Sequence, residues 1–388
     1  MKQLISTLFI LMLTSPLFAN PDPSVTLQSE SLGYPYAQPF KVTAIFSEPV
    51  TGFGESEINI VNGTVSNLVG KCDTVFTMTI TPTFPGPITM FVPAKVVKSL
   101  TTGSFNLASN KLNIMALNPI LNPSANFDLS LWTLILPLPL GGIDEAITIA
   151  SNTLIGHPEL NTGYSEPPYF FTEETTGAMV FFAPLNGATT PNAVFPRSEL
   201  SEYLPNSPHT WKLNTYKSNT LTASLLITQM PPSKKIVVGK IQDKGNPDDS
   251  GQVVASKSLV KIYYDLNQFD PNGNLCNGCI YARIRPIPAQ DIFLKTVTLA
   301  NNVPLNKLFI YKITLLNNGT LRVNLHLSNA SQHDRSTSFN LNTSSDNTVG
   351  WGTQELFFKA GVYVQDNGTS NSIGGAANFY SLQIKHVT

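Results

Sequence analysis

Leu356-Phe357-Phe358-Lys359-Ala360-Gly361-Val362-Tyr363-Val364-Gln365 decides how the chain is read. With the two-residue period of a β-strand, Phe357, Lys359, Gly361, Tyr363 and Gln365 fall on one face, and Phe358, Ala360, Val362 and Val364 on the other. The second face is wholly apolar and belongs in a core. The first sets an ammonium, a phenol and an amide in a row, which suits a polar ligand laid across the strand. Gly361, between Lys359 and Tyr363, is placed where a ligand would approach the backbone closely. An ordinary solvated sheet face is the competing reading of this strand alone.

Two more strands turn the balance. Phe195-Pro196-Arg197-Ser198-Glu199-Leu200-Ser201 puts Arg197, Glu199 and Ser201 on a common face. Lys235-Ile236-Val237-Val238-Gly239-Lys240-Ile241-Gln242 puts Lys240 and Gln242 on one face with Ile241 opposed. Side by side, the three polar faces would make a cationic, hydrogen-bonding groove on a sheet, and such a groove suits an anionic sugar chain.

The 388 residues suffice for two domains, each with a sizeable core. Only 13% are charged and the formal net charge is −1, so no global field recruits nucleic acid or a membrane surface. Attraction for a polyanion must therefore be local. Pro 29 and Gly 25 imply many turns, and short Val/Ile/Thr/Phe-rich runs recur without long helical periodicity, which predicts an all-β protein. Lys2, the apolar run Leu4 to Leu13 and the segment Ser15 to Ala19 read as an export signal over residues 1–19, so the protein is expected to be secreted or periplasmic. No later run is long and apolar enough to span a bilayer. Cys276 and Cys279 are expected to staple a local hairpin in an oxidising compartment, leaving Cys72 alone. The five histidines lack metal-ligand spacing, and neither a metal nor a cofactor is expected.

Residues 21–116 form a first β module. Pro39 to Val50, Ile58 to Val65, Thr74 to Ile80 and Ile88 to Pro93 are short strands at the spacing of a sandwich. Phe46-Ser47-Glu48-Pro49-Val50-Thr51-Gly52-Phe53 and Asn62-Gly63-Thr64-Val65 resemble bacterial immunoglobulin-like repeats, which implies a spacer or adhesive role. Residues 117–125, with Pro119 and Pro123, read as a stiff linker. From 126 to 388 the strands predicted are Ala178–Phe182, Thr220–Gln229, Ile236–Gln242, Leu259–Tyr264, Ile280–Ile284, Leu308–Leu315, Thr320–Leu327, Leu356–Gln365 and Phe379–Ile384. That number suits two packed antiparallel sheets in a jelly roll.

Arg197-Ser198-Glu199-Leu200 resembles the RSELR motif, and Leu356 to Gln365 the YFKAGVYNQ motif, of the alginate lyases of polysaccharide lyase family seven. Phe127 to Leu134 with Asp144-Glu145, and Tyr169-Phe170-Phe171 followed by Gly177 to Pro184, resemble the same family. The resemblance implies a concanavalin-like β-jelly roll and cleavage of a polyuronate by β-elimination. In that reaction the C5 carboxylate is neutralised, a base takes the C5 proton, and an acid protonates the departing oxygen. Carried over by position, the catalytic set is Arg197, Lys240, Gln242 and Tyr363, with Glu199, Ser201, Lys359 and Gln365 as substrate contacts.

The chain departs from the family where its chemistry is most exposed. Val237 to Gln242 occupies the place of V-x-G-Q-I-H, so Lys240 stands for the glutamine and Gln242 for the histidine. An amide cannot take a proton from carbon. Lys240 can still face the carboxylate, Gln242 can donate a hydrogen bond to it, and Tyr363 is expected to act as a phenolate if Lys359, Arg197 and Lys240 lower its pKa from about 10. His326 is a remote replacement for the base. The expectation is a monomeric lyase acting on alginate or a related polyuronate. The alternatives are an impaired relative that binds anionic glycans and, more weakly, a hydrolase needing a second carboxylate.

Overall fold

The computed structural model describes residues 22–71, 73–191, 193–245, 256–289, 293, 295–327, 335–346 and 350–388. The expected export signal, Cys72 and His333 lie outside the described residues. The structure is all-β. In its N-terminal sandwich, one sheet runs in the order Val25–Ser29, Phe40–Phe46, Val75–Pro82, Gly63–Lys71. The other runs Gly33–Pro35, Leu112–Leu117, Gly86–Phe91, Asn59–Val61. Alternation works as the sequence demands: Phe40, Val42, Ala44 and Phe46 point inward to meet Met78, Ile80, Ile88, Met90 and Ile114.

The remaining strands build a larger two-sheet jelly roll. Its eight-stranded sheet has the order Ile143–Ile149, Trp132–Leu140, Arg197–Glu202, Leu356–Val364, Lys235–Asp243, Ser258–Asp265, Cys279–Ile284, Lys295–Ala300. Its seven-stranded sheet has the order Phe170–Thr172, Met179–Pro184, Gly374–Val387, Ser218–Gln229, Phe309–Leu316, Thr320–Leu327, Arg335–Asn340. Phe358, Ala360, Val362 and Val364 enter the core between the sheets, with Leu200, Ile236, Ile262, Phe309 and Phe379. The Trp132–Leu140 strand eluded the sequence reading because Pro137 and Pro139 interrupt it; its ladder with Ile143–Ile149 shifts register there, as residues without an N–H require.

The two sandwiches meet. Ser31 Oγ lies 3.2 Å from Ser224 Oγ, and a Cβ on Gly33 would fall 1.7 Å from the carbonyl oxygen of Tyr380, so only glycine fits. Between them, Asn118 and Asn126 exchange hydrogen bonds of 2.8 Å, and Asn122 bonds to Asn161 and Gly163.

One polar bridge ties the jelly-roll sheets together. Glu202 continues the Arg197 strand on its inward face, where its carboxylate accepts from Trp211 Nε1 at 2.8 Å and the Phe358 amide at 2.8 Å. Its other oxygen lies 2.7 Å from Nε2 of His386, a residue of the opposite sheet whose Nδ1 meets Asn219 at 2.6 Å. His386 is thus structural. Replacing Glu202 with Ala would strand three buried groups at about 1–3 kcal/mol each. We expect Glu202→Ala to lose at least ~3 kcal/mol in urea unfolding; a midpoint equal to that of the unaltered protein would show that the bridge does not hold the sheets.

Candidate active site

The outward face of the eight-stranded sheet carries the chemistry, and strand register determines which side chains meet. Ser201, Lys359, Lys240, Lys261 and Arg283 are successive cross-strand partners on five neighbouring strands. A second such row holds Arg197, Tyr363, Val237, Tyr263 and Tyr281. Val237 and Lys240 are an odd number of residues apart and would oppose each other on a regular strand. A register shift between Val237 and Gly239 inserts one residue, Val238, which turns into the core and restores both neighbours to the same side.

Glu199 is the hub. Its carboxylate contacts Lys240 Nζ at 3.1 Å, Lys359 Nζ at 3.1 Å and Arg197 Nη1 at 3.5 Å. All four side chains are buried, Glu199 and Lys240 to 1% exposure. Burial alone would raise the Glu199 pKa, but the charges of Lys240, Lys359 and Arg197 outweigh it and hold the acid down at about 2. Burial in turn pushes both lysines down, with Glu199 opposing. Lys240 and Lys359 therefore do not line an open trough as separate charges, as their strands suggested; they form the buried floor of this face, clamped on one carboxylate. Nor does Gly361 serve a ligand's approach. With φ +139° and a Cβ that would sit 2.5 Å from the Ser198 carbonyl oxygen, it lets the Arg197 strand close in and bring Glu199 over the two lysines.

Tyr363 lies among these cations, with Arg197 at 4.1 Å, Lys240 at 4.8 Å and Lys261 at 5.6 Å from its ring centre. The expected lowering of its pKa fails. Burial raises it and Glu199 adds to the rise, against the pull of Arg197 and a hydrogen bond with Gln365. The phenol is protonated at neutral pH. Gln365 is half-buried, and its amide also donates to the Val364 carbonyl at 2.9 Å. Gln242 donates to Ser256 at 2.7 Å, while its buried carbonyl oxygen has no partner among the described residues. Ser201, half-buried, closes the first row beside Lys359. Cys276 and Cys279 are joined in a disulfide and pack with Tyr263, Tyr281 and Tyr363 under the second row.

Lys261 and Arg283 also join the row, though their own strands do not single them out. Lys261 differs from the other two lysines in having no carboxylate partner among the described residues; its ammonium faces the rings of Phe293 at 5.3 Å and Tyr363. Burial lowers its pKa to about 8, with Arg197, Arg285 and Arg283 acting the same way against Glu199. The Nε atoms of Arg197 and Arg283 are buried without acceptors among the described residues. His326 stands on the seven-stranded sheet, so it cannot replace a base here. Among the described residues no three His, Cys, Asp or Glu side chains cluster as a metal would need.

A family model described as alginate lyase matches residues 127–386, and one described as a bacterial Ig-like domain matches residues 19–111. The chain belongs to the alginate lyase family. It is a polysaccharide lyase. An alginate lyase from Pseudomonas aeruginosa is 31% identical over 67% of this chain and 99% of its own, with a TM-score of 0.51. Alginate lyase A1-II', a member of polysaccharide lyase family-7, is 30% identical over 69% of this chain and 99% of its own, with a TM-score of 0.52. The alginate lyase of Klebsiella pneumoniae, at 23% identity over 68% of this chain and 98% of its own with a TM-score of 0.53, shares the fold. No curated protein matches the chain.

The Glu199 hub makes a signed prediction for stability. Because its folded pKa lies below the ordinary value of 4.5, its pairing stabilises the protein fully above about pH 5 and is lost as the pH falls towards 2. Glu199→Gln should be destabilised at pH 7 yet lose less further stability than the parent between pH 5 and pH 3 in parallel urea titrations. Parallel curves for the two proteins would contradict the hub.

Proposed function

We propose that the lyase cleaves alginate or a related polyuronate by β-elimination at the Tyr363 face. The observation that carries this reading is the row of cations beside a buried, protonated phenol, in a chain of the alginate lyase family. Arg197, Lys240 and Gln242 face the C5 carboxylate, Arg197 through the guanidinium it lays against the Tyr363 ring. Neutralising that charge makes the C5 proton removable. Lys359 and Glu199 hold the cations in place, while Ser201 and Gln365 flank the sugar.

A protonated Tyr363 serves as the acid, so the C5 proton needs another acceptor. Lys261 is the amine in the row without a carboxylate among the described residues, and with a pKa of about 8 a fraction of it is neutral near neutral pH. Its lone pair takes the C5 proton. The C5–H electrons become the C4–C5 double bond, the C4–O bond breaks, and the departing oxygen takes the Tyr363 proton. The Lys261 ammonium then returns a proton to the phenolate, closing the cycle. Glu199, held ionised, is no acid for a hydrolase. A variant of alginate lyase A1-II' has been crystallised in complex with its substrate, in keeping with a glycan ligand for this family. Residues 1–19 would export the enzyme to its polymer.

Gln242 favours one other reading. A chain that depended on a histidine at that place would bind anionic glycan without cutting it. Incubation with a panel of polyuronates, followed by ultraviolet absorbance of the new double bond, separates the two. We expect absorbance to rise, with kcat/KM increasing with pH through about 8 as Lys261 loses its proton. Lys261→Met and Tyr363→Phe should each lower kcat by about 10²–10⁴-fold, and Lys261→Met should also erase that pH dependence. An unaltered profile in Lys261→Met would remove it as the base; full activity in Tyr363→Phe would remove the phenol.

A further inference from the structure

The seven-stranded sheet carries no catalytic residue, and its charge is one-sided. No Asp or Glu occurs on any of its seven strands, whereas Lys312, Arg322, Arg335 and Lys385 all do. The whole chain sets 24 Lys and Arg against 25 Asp and Glu, so this is a local segregation.

Register gathers three of these cations on the outward face. Lys385, Thr220, Thr314 and Arg322 are successive cross-strand partners, and so, one same-face row along, are Gln383, Thr222, Lys312 and Asn324. Each row of four crosses three strand spacings, about 14 Å. The two rows line a shallow depression of about 670 Å³. Hydroxyls and amides accompany the cations there, and none of the lining groups among the described residues is an acid. The N-terminal sandwich bounds one end of this face: Ser224, two residues beyond Thr222 on the same side, is fully buried where Ser31 meets it.

We propose that this outer face is a second binding site for a carboxylated polysaccharide, holding one segment of the polymer while another is cut on the opposite sheet. The cations meet carboxylates, and the threonine, asparagine and glutamine side chains meet sugar hydroxyls. The site rests on the reading of the chain as a polyuronate lyase. Its gain is avidity, since a polymer held at two faces rebinds as an intramolecular event.

The test uses the full chain and the triple variant Lys312→Ala/Arg322→Ala/Lys385→Ala. Both are compared on alginate polymer, on a tetrasaccharide too short to reach both faces, and in native gels cast with and without alginate. Equal melting temperatures establish that the exposed substitutions leave the fold intact. The triple variant is expected to show a KM for polymer raised about tenfold or more, tetrasaccharide kinetics within about twofold of the parent, and weaker retardation in the alginate gel. Equal polymer KM and equal retardation would overturn the second site, as would equal losses on polymer and tetrasaccharide. A parent that cuts neither substrate would instead overturn alginate as the polymer cleaved, and the gel comparison would still decide the face. Retardation unchanged but binding to anionic lipid vesicles lost would assign the face to a membrane and overturn the polysaccharide.

Discussion

A single buried carboxylate gathers three cations on the outward face of the eight-stranded sheet. Glu199 touches two ammonium groups and a guanidinium at 3.1–3.5 Å, and none of the four side chains could be taken out of water alone. Together they form a rigid floor with more positive than negative charge. The excess points at the ring of Tyr363 and continues across the sheet through Lys261 and Arg283. In a low-dielectric site such fixed charge acts on a substrate carboxylate far more strongly than it would in water.

The fold makes this arrangement by simple means. Antiparallel register lines up residues from five strands, a one-residue bulge at Val238 corrects the phase of one of them, and Gly361 allows two backbones to close together. On the core side the same strands present Val, Ile, Leu and Phe, and Glu202 latches the two sheets through His386. The burial that holds the floor together also raises the phenol of Tyr363 and lowers the amine of Lys261. In the proposed elimination, that divergence would let one group act as the acid and the other as the base without a histidine.

Much of this was legible in the sequence. The alternation in Leu356 to Val364 gave the core face and the polar face correctly, and the Arg197 and Lys240 strands fell beside it as their polar faces suggested. What stayed hidden depended on partners distant in sequence. Lys261 sits alone in Ser-Leu-Val-Lys-Ile-Tyr-Tyr-Asp, a strand that reads as mostly core, and only its pairing with Lys240 shows what it joins. The pKa of Tyr363 was misjudged because nearby cations can be guessed from motifs whereas the depth of burial cannot. Gly361 was assigned to a ligand when the crowding comes from the neighbouring strand.

If the cationic floor acts on the substrate's carboxylate charge, a matched pair of substrates will show it. The rate of double-bond formation is measured on a polyuronate oligosaccharide and on its methyl ester, identical in sugar and linkage but uncharged at C5. The free acid is expected to be cleaved with the higher kcat/KM, and added salt to narrow the difference. An ester cleaved as fast as the acid, or faster, would contradict it.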